Sequence, residues 1–522
     1  MFAKAKAYGL SGIEGFETIV EADVHSGLPG TDMSGLPDAA IKEAKERVKS
    51  AIKNSGFSYP SRRITINLAP ADTKKEGPLF DLAIALAILG ALGEIPAKNL
   101  SNDIVFIGEL SLDGFLRPVR GILPLLISAV SKGSKIFVIP KDNADEAAFI
   151  KDANVYALDS LKEVVDFLLL RAGKKTAQMS PQNQPLQIEP IVSRDFDSLQ
   201  KDEKYALDFK FVRGQAFAKR AMEIAAAGGH NILLVGPPGS GKTMLAKCLP
   251  SILPAMTAYE AMETTKIHSV AGILPQGQGM VTARPFRSPH HTASQISITG
   301  GGTKASPGEI SIAHNGVLFL DELPEYPRAV LEVLRQPLES KNILISRANR
   351  TVTYPADFML VSGMNPCPCG NLGSSNKECS CTPAMVNKYR ARLSGPLLDR
   401  IDMHIEVDNV SYDEMRGAES ESSDTIRTRV NAARKIQLER YANTRLVCNA
   451  GLDTELLNQH CVLDEKSEIF IKKAFEKWGL SMRGFTRILK VARTIADLAN
   501  SKNIELVHLS ESLSYRCMDR KV

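Results

Sequence analysis

Short apolar runs alternate with polar, glycine- and proline-punctuated segments along most of the chain, and the period changes from region to region. Up to about residue 170, "ITINLAP", "DIVFIGEL" and "KIFVIP" read as strands between helical patterns. "DAAIKEAKERVKSAIKNSG" has apolar residues at helical spacing and a stop signal at Gly56. "KKEGPLFDLAIALAILGALG", residues 74–93, turns at Gly-Pro into a helix apolar on every side, which predicts burial; Asp81 to Gly93 is too short to span a bilayer. Residues 171–195, "RAGKKTAQMSPQNQPLQIEPIVSRD", lose this periodicity and read as a linker. From about Phe209 the runs "NILLVG", "GVLFLDE" and "DFMLVSGMN" are of the kind buried in a parallel sheet. After about Ile405 charged, helix-forming segments dominate, such as "TIRTRVNAARKIQLERYAN". The pattern predicts an α/β chain: an N-terminal domain over 1–170, a linker over 171–195, a parallel-sheet core over 196–410 and a helical domain over 411–522. No repeat of solenoid period is present.

Composition narrows the class. A chain of 522 residues should hold two to four domains, and 44% apolar with 24% charged residues suits a soluble globular protein. "MFAKAKAYGLSGIEGF" lacks the apolar core of a signal peptide, so a cytoplasmic protein without membrane association is expected. Net charge of +5 is weak evidence for a polyanionic partner. Local clusters matter more: Arg62-Arg63 with Lys74-Lys75, and Arg284 with Arg287. Eight cysteines in such a protein do not suggest a disulfide framework.

The strongest chemical signal is "NILLVGPPGSGKTMLAK". Gly236, Pro237, Pro238, Gly239, Ser240, Gly241, Lys242 and Thr243 spell G-x-x-x-x-G-K-[ST] between an apolar strand and a helix. Backbone N–H groups of such a loop curl around phosphates, and the helix N-terminus favours negative charge. Lys242 can reach the β/γ-phosphates of ATP while Thr243 ligates Mg²⁺. Val317 to Leu320 form a buried strand that presents Asp321 and Glu322 at its carboxyl end, where ligands bind in open α/β sheets. Asp321 suits the Mg²⁺ shell, and Glu322 suits orienting the attacking water. Asn365, ending the next strand, could hydrogen-bond the γ-phosphate or that water. Arg400, in "SGPLLDRIDMHIEV", could act on a neighbouring subunit's nucleotide, an effect worth ~10³–10⁵ in rate in other NTPases. Arg483 starts a helix in the C-terminal part.

That order of phosphate loop, acidic strand end, polar sensor, finger and lid arginine resembles the AAA+ ATPases. "RPFRSPHHTAS", "SIAHNGVLFLDELPE" and "GPLLDRIDMHIEV" are similar to one branch, the magnesium-chelatase-like YifB/ComM family, over nearly the whole chain. The resemblance implies nucleotide and Mg²⁺ at Lys242 and Thr243, metal-binding and water-activating roles for Asp321 and Glu322, and a first-sensor role for Asn365. It implies a trans-acting finger at Arg400, a lid sensor at Arg483 with Arg487 close by, and assembly into hexamers.

"CPCGNLGSSNKECSC" places Cys367, Cys369, Cys379 and Cys381 as C-x-C-x₉-C-x-C. Four thiolates can close a tetrahedral Zn²⁺ site, although C-x-C is tighter than the usual pairing and a reduced loop is the alternative. His290 and His291 have no carboxylate or cysteine at ligand spacing and are expected to hydrogen-bond within a loop. Magnesium-chelatase-like ATPases carry a pore-facing insertion in this region, so the resemblance implies that Arg284, Arg287 and Lys304 are candidate DNA contacts or, equally, subunit-interface residues.

Residues 1–170 resemble the domain shared by Lon-type proteases and the RadA recombination protein, in "INLAPADTKKEGPLFDLAIALAIL" and "GELSLDGFLRPVRGILPLL". In a Lon-type protease a serine follows the Gly-Pro and a lysine activates it. Here Leu79 and Leu123 occupy those positions, and a nucleophile without its base is not expected to act. The resemblance therefore implies an ATP-driven ring motor on single-stranded or branched DNA, aiding branch migration in recombination. The alternatives are the ATPase subunit of a metal chelatase, and a nucleotide-dependent remodeller without DNA.

Overall fold

The computed structural model describes residues 1–100, 103–173, 188–199, 205, 207–275, 277–303, 305–347, 350–373, 377–410, 412, 414, 420–444 and 446–519. The chain divides into two compact units: Met1–Lys201 with Ala258–Thr282, and Asp202–Thr257 with Ala283–Val522.

In the first unit, seven strands form one mixed sheet: β1 (Phe2–Ser11), β2 (Glu14–His25), β3 (Gly30–Ser34), β4 (Arg63–Ala69), β5 (Ile104–Phe106), β6 (Ile136–Pro140) and β7 (Asn154–Leu158). Their order is β3-β4-β2-β1-β5-β6-β7. β2 runs antiparallel to β1 and β4; the remaining pairs are parallel. Helix α1 (Ala39–Asn54) is capped by the Asp38 carboxylate, which accepts from the Ile41 N–H at 2.8 Å. Helix α2 (Asp81–Leu92) is the apolar segment of the sequence, and every residue from Asp81 to Ala91 is buried. It has no polar face because it lies inside the core.

Leu79 sits in a short turn just before α2, and Leu123 lies in helix α3 (Ile122–Ser131); both are buried in the unit's core. Residues 188–195, the end of the expected linker, lie against this unit: the Ile191 N–H donates to Val155 O at 2.8 Å. Most of the linker, 174–187, falls outside the described residues.

Ala258–Thr282 also belongs to the first unit, although it lies within the span 196–410 that the sequence suggests for the core. Its helix Ala258–Ala271 packs Met262 on the first unit's core. The Ser269 hydroxyl donates to the buried Glu146 carboxylate, which also accepts the Leu123 N–H at 2.9 Å. Burial raises the Glu146 pKa against these hydrogen bonds.

The second unit is built on five parallel strands: β8 (Ile232–Val235), β9 (Phe286–Arg287), β10 (Val317–Leu320), β11 (Met359–Met364) and β12 (Met403–Glu406). Their order β9-β10-β11-β8-β12 makes β11 the neighbour of both β8 and β10. β8, β10 and β11 are buried at every position, which is why their runs are near-continuously apolar and do not alternate. Helix α4 (Ala216–Gly228) precedes β8, and α5 (Lys242–Cys248) follows it. Helices α6 (Ser423–Arg440) and α7 (Met482–Leu498) add Ile426, Val430, Val491 and Ile495 to the core of the sheet. A second, smaller core centred on Leu457, Ile471, Leu489 and Leu509 holds the C-terminal helices together. Among the described residues, no helix is long and apolar enough to cross a membrane.

Candidate nucleotide site

Strand β8 delivers the chain to Gly236, and α5 takes it away at Lys242. Between them Gly239 and Gly241 adopt φ of 80° and 90°, which side chains other than glycine resist. Lys242 is buried, and its ammonium donates to Gly236 O at 2.7 Å and Pro237 O at 2.8 Å. It also lies 3.4 Å from Asn365 Oδ1. Burial lowers the Lys242 pKa, opposed by Asp321 and then Glu322.

The sheet order accounts for the partners. β11 and β10 lie beside β8 in succession, so the residues after their carboxyl ends meet the phosphate loop. The Thr243 hydroxyl donates to Asp321 Oδ2 at 2.8 Å, and Asp321 Oδ1 accepts the Glu322 N–H at 3.0 Å. Lys242, Thr243, Asp321 and Asn365 thus form one constellation, with Glu322 next to it.

Glu322 has φ 51° and ψ 46°, a left-handed conformation that is unfavourable for a side chain of this type. Its Oε2 lies 3.3 Å from His291 Nδ1. This pairing was not foreseen from the sequence: the two residues are far apart along the chain, and their approach depends on how the segment before β10 folds back. Tyr326 secures that segment by donating to Pro289 O at 2.6 Å. His290 is accounted for locally, with Nδ1 2.9 Å from Thr292 Oγ1.

A cavity of about 650 Å³ opens beside the phosphate loop. Phe211, Val212 and Met244 give it apolar surface, while Cys369, Asn371 and Lys377 line it from the cysteine loop. Mixed lining of this kind suits a ligand with an aromatic base and a charged end.

Arg400 and Arg483 converge elsewhere. Arg400 is 5% exposed and pairs with Glu339 Oε1 at 2.6 Å; Arg483 reaches the same oxygen at 3.1 Å. Arg400 holds the Glu339 carboxyl below its usual range against the opposing effect of burial, and Arg483 adds to the lowering. Arg487 instead pairs with buried Asp402 at 2.8 Å. Among the described residues, no hydrogen bond or ion pair joins Arg400 or Arg483 to the phosphate loop.

Several basic residues expected to face DNA have internal partners. Arg284 donates to Pro254 O at 2.6 Å, Asn315 O at 2.7 Å and Ala255 O at 3.2 Å. Arg287 is bidentate on Glu309 at 2.6 and 2.8 Å. Lys304 lies outside the described residues. Lys75 is buried, and its ammonium donates to Pro70 O; the aliphatic stem that looked like part of a basic surface packs inward. Lys74 pairs with Glu76 at 3.0 Å and Arg63 with Asp32 at 2.7 Å, both at exposed positions. Arg62 is exposed.

The four cysteine sulfurs lie within 4.8 Å of one another. Backbone N–H groups, that of Asn371 first, draw the Cys369 thiol down to about 6. Cys379 goes the other way: against the lowering effect of the Cys381 backbone N–H, burial and then the neighbouring sulfurs of Cys369 and Cys367 push its thiol up.

Three family descriptions match the chain. "Magnesium chelatase, subunit ChlI" matches residues 208–415, "Subunit ChlI of Mg-chelatase" residues 20–143, and "Magnesium chelatase, subunit ChlI C-terminal" residues 420–516. The chain is 43% identical to Competence protein ComM of Haemophilus influenzae over 98% of its own length and 96% of that protein. It is 44% identical to the uncharacterized protein YifB of Escherichia coli, over 96% and 94% of the two chains. It is also 29% identical to a Lon protease of Rhizobium meliloti over 30% of this chain and 20% of that protein.

Proposed function

Because the chain belongs to the YifB/ComM family of magnesium-chelatase-like AAA+ ATPases, we propose that it is an ATP-hydrolysing ring motor that acts on single-stranded or branched DNA. The observation that carries the ATPase part is the meeting of Thr243 Oγ1 and Asp321 Oδ2 at 2.8 Å beside the Lys242 ammonium. A hydroxyl and a carboxylate are hard oxygen donors that fit Mg²⁺. When bound, that ion would neutralise charge developing on the phosphates.

The chain's own groups supply the remainder. The phosphate loop orients the triphosphate, and Lys242 exchanges its loop carbonyls for phosphate oxygens. Glu322 holds the attacking water and accepts its proton. Asn365, within reach of Lys242, reads the position of the γ-phosphate. Arg400 is the finger that serves the nucleotide of a neighbouring copy, which requires an oligomer, a hexamer in this reading, and Arg483, which shares Glu339 with it, is the lid sensor. The last C-terminal helices form the lid. The four thiols hold Zn²⁺ in a structural role.

In the first unit, the two positions of the Lon-type dyad are filled by buried leucines, which supports binding without proteolysis. The DNA part rests on the relative named a competence protein. With Arg284, Arg287 and Lys75 engaged internally, exposed Arg62, Arg63 and Lys74 are the remaining basic candidates from the sequence. ATP turnover by the purified protein should rise several-fold on adding single-stranded or forked DNA, and Lys242→Ala should abolish ATP-dependent fork movement. A rate indifferent to every DNA would sink the motor. It would favour the second reading, a metal-chelatase ATPase subunit, which the matched family description supports; that subunit's turnover should respond to a porphyrin-binding partner.

A further inference from the structure

The loop that carries the four thiols is not separate from the nucleotide site. Cys367 Sγ lies 3.4 Å from Cys369 Sγ and 3.6 Å from Cys379 Sγ, and Cys369 Sγ lies 3.6 Å from Cys379 Sγ. Zinc–thiolate bonds of about 2.3 Å directed to a tetrahedron set the sulfurs about 3.8 Å apart. A disulfide would need about 2.05 Å. The spacing is therefore that of ligands around a common centre. The Leu372 N–H also donates to Cys367 Sγ at 3.4 Å, the kind of backbone donor that stabilises a thiolate ligand.

Between the cysteines, Gly370 lies directly on the phosphate loop. A Cβ at that position would meet Pro238 Cδ at 2.6 Å, and φ of +81° already favours glycine. Flanking this contact in the sequence, Cys369, Asn371 and Lys377 line the same cavity as Pro237 to Gly241. The described residues from Asn365 to Thr382 belong to no helix or strand. Among the described residues neither a ladder nor a helical repeat fixes this part of the cavity wall, and the four thiols are a cross-link that can hold it.

We propose that a zinc ion held by Cys367, Cys369, Cys379 and Cys381 clamps this loop on Pro238, and that zinc occupancy sets how tightly the adjacent cavity binds nucleotide. The inference rests on two parts of the function proposed above: nucleotide in the cavity and zinc on the thiols. Without the ion, crowded sulfurs separate and the wall leaves the phosphate loop for part of the time. If the wall is in place only about a tenth of the time, apparent nucleotide affinity falls about tenfold.

The test uses the full chain, purified under reducing conditions. Zinc released by a mercurial and read with a colorimetric chelator should amount to one ion per chain. A fluorescent ATP analogue should bind roughly tenfold more weakly after zinc is stripped, at unchanged far-ultraviolet circular dichroism, and zinc chloride alone should restore it. Gly370→Ala is the second arm: it should keep its zinc yet bind the analogue several-fold more weakly, because the added methyl pushes the loop off Pro238. That arm decides the matter if stripping the metal also unfolds the chain. A protein that neither contains nor takes up zinc overturns the zinc assignment and the inference with it. One zinc per chain with nucleotide affinity unchanged in Gly370→Ala, and unchanged on stripping wherever the fold survives, overturns the coupling alone. Zinc-loaded protein that binds no analogue overturns the nucleotide assignment.

Discussion

Glu322 concentrates several constraints in one residue. Its backbone is left-handed, its carboxylate faces His291, and its N–H is fixed by Asp321. A non-glycine residue in such a conformation stores of order 1 kcal/mol or more, tolerated where the surroundings determine it, often at functional sites. Glu322→Gln keeps the size and the backbone contact but removes the proposed base. Turnover should fall at least about a hundredfold while binding of a fluorescent ATP analogue stays within a few-fold; substantial turnover in the variant would give the proton to another group. The sequence pointed to the acidic pair because strand, turn and acids are contiguous. It could not supply His291 as a neighbour, nor Glu339 as the shared partner of Arg400 and Arg483. Those contacts join segments distant along the chain, and only the folded sheet determines them. The basic residues show the converse: charge is visible in a sequence, but the internal carbonyls that satisfy Arg284 and Lys75 are not.

At the scale of elements, legibility followed side-chain size. β4, β6 and β8 announce themselves through isoleucine, valine and leucine. β1 buries Ala3, Ala5 and Ala7, small residues with little strand preference, and so gives almost no signal. Small side chains suit its position, since α2 approaches closely: a Cβ on Gly90 would come within 3.1 Å of the Ala3 Cβ. The same tight burial makes the start of α2 vulnerable. Asp81 is 1% exposed, and Arg47 binds both its oxygens at 2.9 and 3.2 Å. Burial lifts the Asp81 pKa to about 6 in spite of that partner. Arg47→Ala leaves a buried carboxylate without its counter-charge and should destabilise the first unit by about 3–5 kcal/mol. Chemical denaturation would show this as a lowered midpoint. A loss below about 0.5 kcal/mol, the size of an ordinary surface change, would mean that the pair has little structural weight.

At the scale of the whole molecule, sequence order and compact units part company over Ala258–Thr282. The run of apolar and polar residues there resembles any helix of the core. Nothing in its periodicity says which core receives it. The phosphate loop, the acidic strand and the strand leading to Asn365 were legible because each couples a motif to a buried run; unit membership depends on long-range packing alone. The consequence is testable. A fragment spanning 202–522 would expose Ala261, Ile267, Met280 and Val281, all buried in the full chain. It should elute from size exclusion as aggregates, and exchanging 258–282 for a short Gly/Ser linker should restore a defined peak. A well-behaved fragment that retains 258–282 would disprove this.

Arg284 makes such a replacement geometrically reasonable, because it binds the carbonyls of Pro254 and Ala255 just before the segment leaves and itself stands just after it returns. The same arrangement has a consequence in time. On a ribosome, Met1–Lys201 emerges before the segment that completes its unit has been made. At about 5–20 residues per second, the roughly 80 residues up to Thr282 take about 4–16 s. For that interval the nascent first unit presents an uncovered apolar surface beside α3, with Glu146 lacking its Ser269 partner, and its completion waits on synthesis of the phosphate loop.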